Sequence, residues 1–133
     1  MIHYTDDLTE ITPDMLRGFF VGWPNPPSPE MHLEILRGSY AVLLAIEEGR
    51  IVGFVNAISD GTLSAFIPLL EVLPERRGMK IGSELMRRMR EKLSGFYSID
   101  LTCDPDVQPF YEALDWRKSV GMSLRNYDRS SGT

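Results

Sequence analysis

The sequence predicts a mixed α/β domain, and three observations carry that prediction. Two apolar runs, Tyr40 to Ile46 and Ile51 to Ile58, flank Glu47-Glu48-Gly49-Arg50, the pattern of a hairpin. A third run, Leu63 to Leu73, is unusually apolar and leads into a basic turn containing glycine. Directly after that turn, Ile81, Leu85, Met86, Met89 and Leu93 recur at helical spacing. With 133 residues, 43% hydrophobic and 25% charged, the chain suits one domain over residues 1–133 around one core. It shows no internal repeat, linker or second domain.

Each element has a local reason. Ile2 to Tyr4 reads as a short first strand. Thr12-Pro13-Asp14 is a helix start, with Thr12 as N-cap and Pro13 at the first helical position, and the helix should run to about Phe20. Pro24, Pro26, Pro27 and Pro29 forbid helix or central strand, so a rigid loop follows. Ser28-Pro29-Glu30 opens a second helix to about Leu36, and Arg37-Gly38-Ser39 ends it. The run from Leu63 to Leu73 should be a central strand covered on both faces. Pro68 inside it donates no ladder bond, so a bulge or splay is expected nearby. Gly95 closes the amphipathic helix, and Tyr97 to Cys103 is the next strand. Asp104 as N-cap and Pro105 open a helix to about Leu114. Met122 and Leu124 alternate with polar residues, so Val120 to Asn126 should be a closing strand. Asp128 to Thr133 reads as a frayed tail.

Composition excludes several functions. Net charge is −5, against generic nucleic-acid binding. The charge is uneven: residues 76–92 hold seven basic and two acidic side chains, a net of +5 against −10 for the rest. A basic patch on an acidic body suits a polyanionic ligand at one place and a cationic acceptor elsewhere. For Arg87, Arg88 and Arg90 a solvated helix face is the plainer reading. Cys103 is the single cysteine, so no intrachain disulfide forms, in keeping with a reducing cytoplasm. The N-terminus has no signal-peptide pattern, and no apolar run approaches the ~20 residues of a bilayer span. Two histidines and one cysteine without ligand spacing give no metal site. No nucleotide-triphosphate loop and no Ser-His-Asp order occurs.

The informative segment is Val72-Leu73-Pro74-Glu75-Arg76-Arg77-Gly78-Met79-Lys80-Ile81-Gly82-Ser83. It is a strand end, a tight basic turn and a helix start. Backbone N–H groups at a helix N-terminus hold anions, and Arg76, Arg77 and Lys80 add full charges, so a diphosphate is the natural guest. The segment resembles the acyl-CoA-binding signature of the GCN5-related N-acetyltransferases, Arg/Gln-x-x-Gly-x-Gly/Ala after a strand ending Val-x-Pro. Arg77 takes the first position, Lys80 stands at the first glycine, and Gly82 takes the second. Pro109-Phe110-Tyr111-Glu112-Ala113-Leu114-Asp115-Trp116 similarly looks like the family's Phe-Tyr-Glu-x-Leu-Gly-Phe segment, with Asp115 in place of glycine and Trp116 in place of phenylalanine.

The resemblance spans about Ile2 to Tyr127 and implies the acyl-CoA N-acyltransferase fold, a mostly antiparallel splayed sheet flanked by helices. It implies acetyl-CoA as cosubstrate and transfer of an acetyl group to a primary amine by direct attack in a ternary complex. Val72, Arg77, Gly78, Met79, Lys80, Ile81, Gly82 and Ser83 should bind the cofactor, with backbone donors near Val72 for the acyl group. Arg76 or Arg77 should reach the adenosine 3′-phosphate. Tyr111 should be the general acid for the leaving thiolate. Asp104 stands where the family often has asparagine near the cofactor, though capping alone accounts for it. Positions where relatives carry a base hold Phe66 and Pro68. Glu71 points the other way by strand alternation, so water-mediated deprotonation is the expected route. The acceptor, a small molecule or a peptide amine, should sit beside Phe19 to Pro24, with Glu30, His32 and Glu34 near it. His32 alone reads as helix surface. A non-catalytic acyl-CoA-binding module is the rival reading. A third is a protein-interaction domain using the Trp23-proline loop. No nucleic-acid or membrane partner is expected, and a homodimer could form through the last strand or the hairpin.

Overall fold

A computed structural model describes residues 1–133. Its centre is a five-stranded sheet in the order β1 (His3–Thr5), β2 (Ala41–Glu47), β3 (Arg50–Ser59), β4 (Ser64–Val72) and β5 (Ser98–Asp100). Neighbours are antiparallel except β4 and β5, which are parallel. The helices are α1 (Pro29–Arg37), α2 (Ile81–Lys92) and α3 (Gln108–Glu112). The β2–β3 turn has positive φ at both Glu48 and Gly49, the mirror-image geometry that matches strand twist. Ser28 caps α1, its hydroxyl accepting from the Met31 N–H at 3.1 Å.

The most buried strand is β3, with Ile51 to Ala57 all inside. Alternation along it sorts the helices onto opposite faces. Gly53 lies under Ile81 and Leu85 of α2, and a Cβ there would come within 3.1 Å of both. Phe54 points the other way, into a ring cluster with Phe19, Phe20 and His32. β4 is the fourth strand, not the central one, and most of it is only half-buried. Its sequence is apolar because it serves both the core and an open edge.

Further expectations are corrected. The first helix stops at Leu16, as one turn of tight 3-10 helix from Pro13, because Gly18 and Phe20 both take positive φ. The Thr12 side chain makes no cap bond, and neither does that of Asp104. The helix expected over Pro105 to Leu114 is a 3-10 turn plus the short α3, and β5 ends at Asp100. Residues Val120 to Asn126 form no strand: they pair with no other strand and lie exposed to solvent. The tail after them is docked. Ser130 Oγ donates to the Asn25 carbonyl at 2.9 Å, and Gly132 lies against the Met31 side chain.

Pro68 does break the ladder. Asn56 pairs with Leu69, but Ile58 pairs with Phe66, so Ile67 and Pro68 face Ala57 alone. The extra residue reverses alternation within β4. Phe66 therefore shares the Phe54 face with Leu69 and Glu71, instead of the α2 face with Val72. The count that set Phe66 apart from Glu71 fails at this bulge.

Candidate active site

β4 and β5 pair only from Ser64–Ser98 to Phe66–Asp100. Beyond Phe66, β4 continues six residues with no neighbour on that side. The Leu73 N–H donates to the Val52 carbonyl at 2.9 Å, so 73–52 is a hydrogen-bonded pair and 72–53 is not. By the same alternation, the N–H and C=O of Leu70 and Val72 point away from β3 into the gap. These are the only kind of donors a splayed strand can offer: fixed backbone dipoles on a rigid element.

The gap leads to the turn. Gly78 has φ +81° and Lys80 φ +62°. Lys80 thus adopts the left-handed conformation for which its place in the signature favours glycine. Its carbonyl takes the first helical bond, from Glu84 N–H at 3.1 Å, so the N–H groups of Ile81, Gly82 and Ser83 have no helical acceptor. No side chain caps them. Lys80 is exposed and makes no ion pair, whereas the Arg77 Nε–H donates to the Val72 carbonyl at 3.2 Å. Arg77 thereby bends the turn over the strand end. Arg76 is tied to Glu47 and directed away from the gap.

Most of the basic cluster is used internally. Glu84 accepts from Arg87 and Arg88, both at 2.6 Å, and those hydrogen bonds, Arg87's first, hold its carboxyl down at about 2. Arg88 also lies 4.5 Å over the Tyr4 ring, and Lys92 reaches Asp6 at 2.6 Å. Arg90 donates to the Leu114 carbonyl at 2.9 Å, fastening α2 to the end of α3. The helix face is structural, and the charges left without an ion pair at the turn are those of Arg77 and Lys80.

Gly82 sits where α2 and α3 meet. A Cβ on it would lie 3.5 Å from the Phe110 ring and 3.8 Å from Val72 Cγ2. Next to Phe110, Tyr111 stands edge-on at 4.9 Å and packs near Trp116 at 6.1 Å. Burial, then the nearby Cys103, push the Tyr111 phenol up to about 12, so it carries its proton at every physiological pH. The Cys103 thiol is also raised, by burial and by Asp104 and Asp106. Asp115 takes φ +70°, so the turn after α3 keeps the shape glycine would give it. Tyr111, Cys103, Phe66 and Ile99 line a cavity of about 860 Å³ along β5, whose walls include none of Leu70, Val72 or the turn from Gly78 to Ser83.

On the opposite face, Glu71 is engaged. Its carboxylate accepts from the Phe20 N–H at 2.8 Å and the Val21 N–H at 3.2 Å, which holds Phe20 at φ +64°. His32 is not surface. It is 1% exposed among Phe19, Phe20 and Phe54, and burial lowers its pKa to about 4. It lines a second, smaller cavity of about 290 Å³ under Pro26, Pro27 and Pro29. Glu30 and Glu34 lie on α1 with exposed side chains. Sequence reasoning missed Gly53, which lets α2 approach the sheet, and Phe110, which faces Gly82. A glycine within an apolar strand was the available signal for the first.

A sheet splayed between a parallel pair, with free strand dipoles running into an uncapped helix start, is the acyl-CoA N-acyltransferase fold. Comparison with known proteins agrees. The chain matches the Acetyltransferase (GNAT) family over residues 8–116 and belongs to it. A putative acetyltransferase from Deinococcus radiodurans R1 is 48% identical, superposing with a TM-score of 0.97 over 99% of this chain and 93% of its own. An uncharacterized N-acetyltransferase, ycf52, of Porphyra purpurea is 28% identical over 74% of this chain; the chain spans 59% of that relative's length. The structure of AAC(6')-Iy in complex with a bisubstrate analog, CoA-S-monomethyl-acetylneamine, is 18% identical with a TM-score of 0.68 over 95% of this chain and 97% of its own, a likeness of fold alone.

Proposed function

We propose that this chain is an acetyl-CoA-dependent N-acetyltransferase that acetylates a primary amine by direct attack within a ternary complex. The observation that carries the reading is the pair of outward backbone groups at Leu70 and Val72, continuous with the uncapped N–H groups of Ile81, Gly82 and Ser83. The residues present fit a diphosphate thioester. Three uncapped N–H groups and the free Lys80 ammonium suit the diphosphate. Acetyl-CoA supplies the acyl group as a thioester. The Leu70 or Val72 N–H serves as donor to the carbonyl oxygen as negative charge develops there. The amine nitrogen forms the new C–N bond and sheds a proton to water, the C–S bond breaks, and Tyr111 O–H donates its proton to the departing sulfur, recovering one from solvent afterwards.

The amine must first lose a proton. Glu71 holds two backbone N–H groups, and His32 is buried among aromatic rings, so a water chain to solvent is the route we favour. Those two facts also favour the second reading, an acyl-CoA-binding module without turnover. Chromatographic detection of CoA released from acetyl-CoA, against polyamines, aminoglycosides, amino acids, arylamines and peptide N-termini, separates them. Release with one acceptor class supports transfer. Silence across the panel, with acetyl-CoA binding shown by calorimetry, supports the module. Absence of binding overturns both.

A further inference from the structure

His32 is buried, yet neither of its ring nitrogens has a hydrogen-bond partner; of the three buried side-chain polar atoms without one, two are these nitrogens. Native cores satisfy such groups, because an unmade bond keeps the cost of desolvation with nothing in return. A core ring with no polar duty is a phenylalanine, and Phe19, Phe20 and Phe54 surround this one. An imidazole in their midst calls for a partner from outside the chain. The cavity of about 290 Å³ that His32 lines gives it a way in, since Pro26 and Ser28 at its rim are exposed. Water alone does not suit the space. Each water fills about 30 Å³ and needs about two to four polar partners. The lining side chains offer only the imidazole and Ser28, whose oxygen already caps α1.

The walls set the chemistry of the guest. Leu16, Phe19, Phe20, Pro26, Pro27 and Pro29 are apolar, and no Asp, Glu, Lys or Arg lines the cavity. A cationic group buried there would lose its water and meet no anion. Burial keeps the imidazole neutral, so it offers one N–H donor and one bare nitrogen. A hydroxyl, which both donates and accepts, suits either nitrogen. The volume stands at the low end of the about 300–1,000 Å³ usual for ligands, and rings already packed edge-on at 4.9 and 5.4 Å favour one more flat ring. Position matters as well. Phe54 and His32 lie on the sheet face opposite Gly53 and α2, so a guest here approaches from the side away from the Gly78–Ser83 turn. Phe20 joins the cavity to β4: its ring is a wall, and its N–H donates to Glu71, which lies between Leu70 and Val72.

We infer that this cavity seats the uncharged end of the acceptor, a single aromatic ring bearing a hydroxyl, and that His32 selects it by a hydrogen bond. The acceptor is then a hydroxyaryl-alkyl amine, with its amino group outside the apolar walls, and not a polyamine or an aminoglycoside. This rests on the acetyltransfer reading.

The test has a binding arm and a turnover arm. In the first, tyramine is added to the wild-type chain without acetyl-CoA while the histidine ring nitrogens are followed by NMR. The chain has two histidines, and His3 is exposed, so it serves as the internal control. The His32 signals should shift and saturate while those of His3 stay. Phenethylamine, which lacks the hydroxyl, should bind about tenfold more weakly or worse, and putrescine should leave His32 unmoved. In the second arm, CoA release is measured with the same three amines, and kcat/KM should favour tyramine by about tenfold or more. His32→Phe should bring tyramine down to the level of phenethylamine, chiefly through KM. His32 signals indifferent to tyramine, release with putrescine but not tyramine, or a tyramine preference kept in His32→Phe each overturns the inference. The first of these is read on the unaltered protein, so it stands even if the variant fails to fold. Failure of the transfer reading looks different: His32 answers tyramine, but no amine releases CoA.

Discussion

His32→Phe should make the protein resistant to acid in a defined window. The wild-type imidazole is sealed among Phe19, Phe20 and Phe54, and burial holds its pKa at about 4 against 6.5 when free. Between those values the unfolded chain binds a proton that the folded chain refuses. Stability must therefore fall as pH drops through the window, by about 1.4 kcal/mol per pH unit. The full difference is about 3 kcal/mol, and about 2 kcal/mol is already lost at pH 5, a sizeable part of the 5–15 kcal/mol typical of a domain. Phenylalanine fills a similar space among the rings and has no proton to gain. The assay is urea denaturation of both proteins at pH 7, 6 and 5, at one protein concentration. The Glu84 carboxyl, held at about 2, withdraws its own contribution only below its ordinary 4.5, so it stays outside this range. The gap between the two proteins should shift by about 2 kcal/mol in favour of the variant from pH 7 to 5. Parallel pH profiles would refute the burial argument.

Three further outcomes are expected. Gly82→Trp fills the junction between α2, Phe110 and Val72 and should weaken CoA binding at least tenfold in calorimetry, about 1.4 kcal/mol, whereas Gly82→Ala, with ordinary contacts at 3.5 Å, should bind normally. If the two variants bind alike, the cofactor lies elsewhere. Tyr111→Phe should lower kcat by about 10²-fold with little change in acetyl-CoA affinity, and an unchanged kcat would remove Tyr111 from proton transfer. Gly53→Ala drives a methyl to within 3.1 Å of Ile81 and Leu85 and should cost about 1–3 kcal/mol in chemical denaturation, lifting α2 and weakening CoA binding with it.

The parts of the fold legible in sequence were those with local causes. The hairpin follows from Glu-Glu-Gly-Arg, α1 from its Ser-Pro cap, α2 from its periodicity, and the bulge from Pro68. Two misreadings share one origin: alternation was extrapolated past a point where it breaks or lacks a partner. At Pro68 the extra residue moved Phe66 to the face of Glu71. At Val120 to Asn126 the alternation was genuine, but a strand also needs a neighbour, and this chain provides none. The helix expected to reach Phe20 failed for a tertiary reason, since Glu71, 51 residues away, fixes the turn at Phe20. At the site, the turn from Gly78 to Ser83 was readable from residue types. The outward dipoles of Leu70 and Val72 were not, because register decides them and side chains do not.

The Glu71 clamp bears on how this protein could be altered. One strand presents outward backbone dipoles on its edge and, through one carboxylate, suspends the Phe20–Val21 loop from its face. Any shift of that strand carries the loop with it, as a bracket carries a shelf. A different loop grafted between Leu16 and Pro24 would therefore keep its alignment only if two backbone N–H groups still reach Glu71.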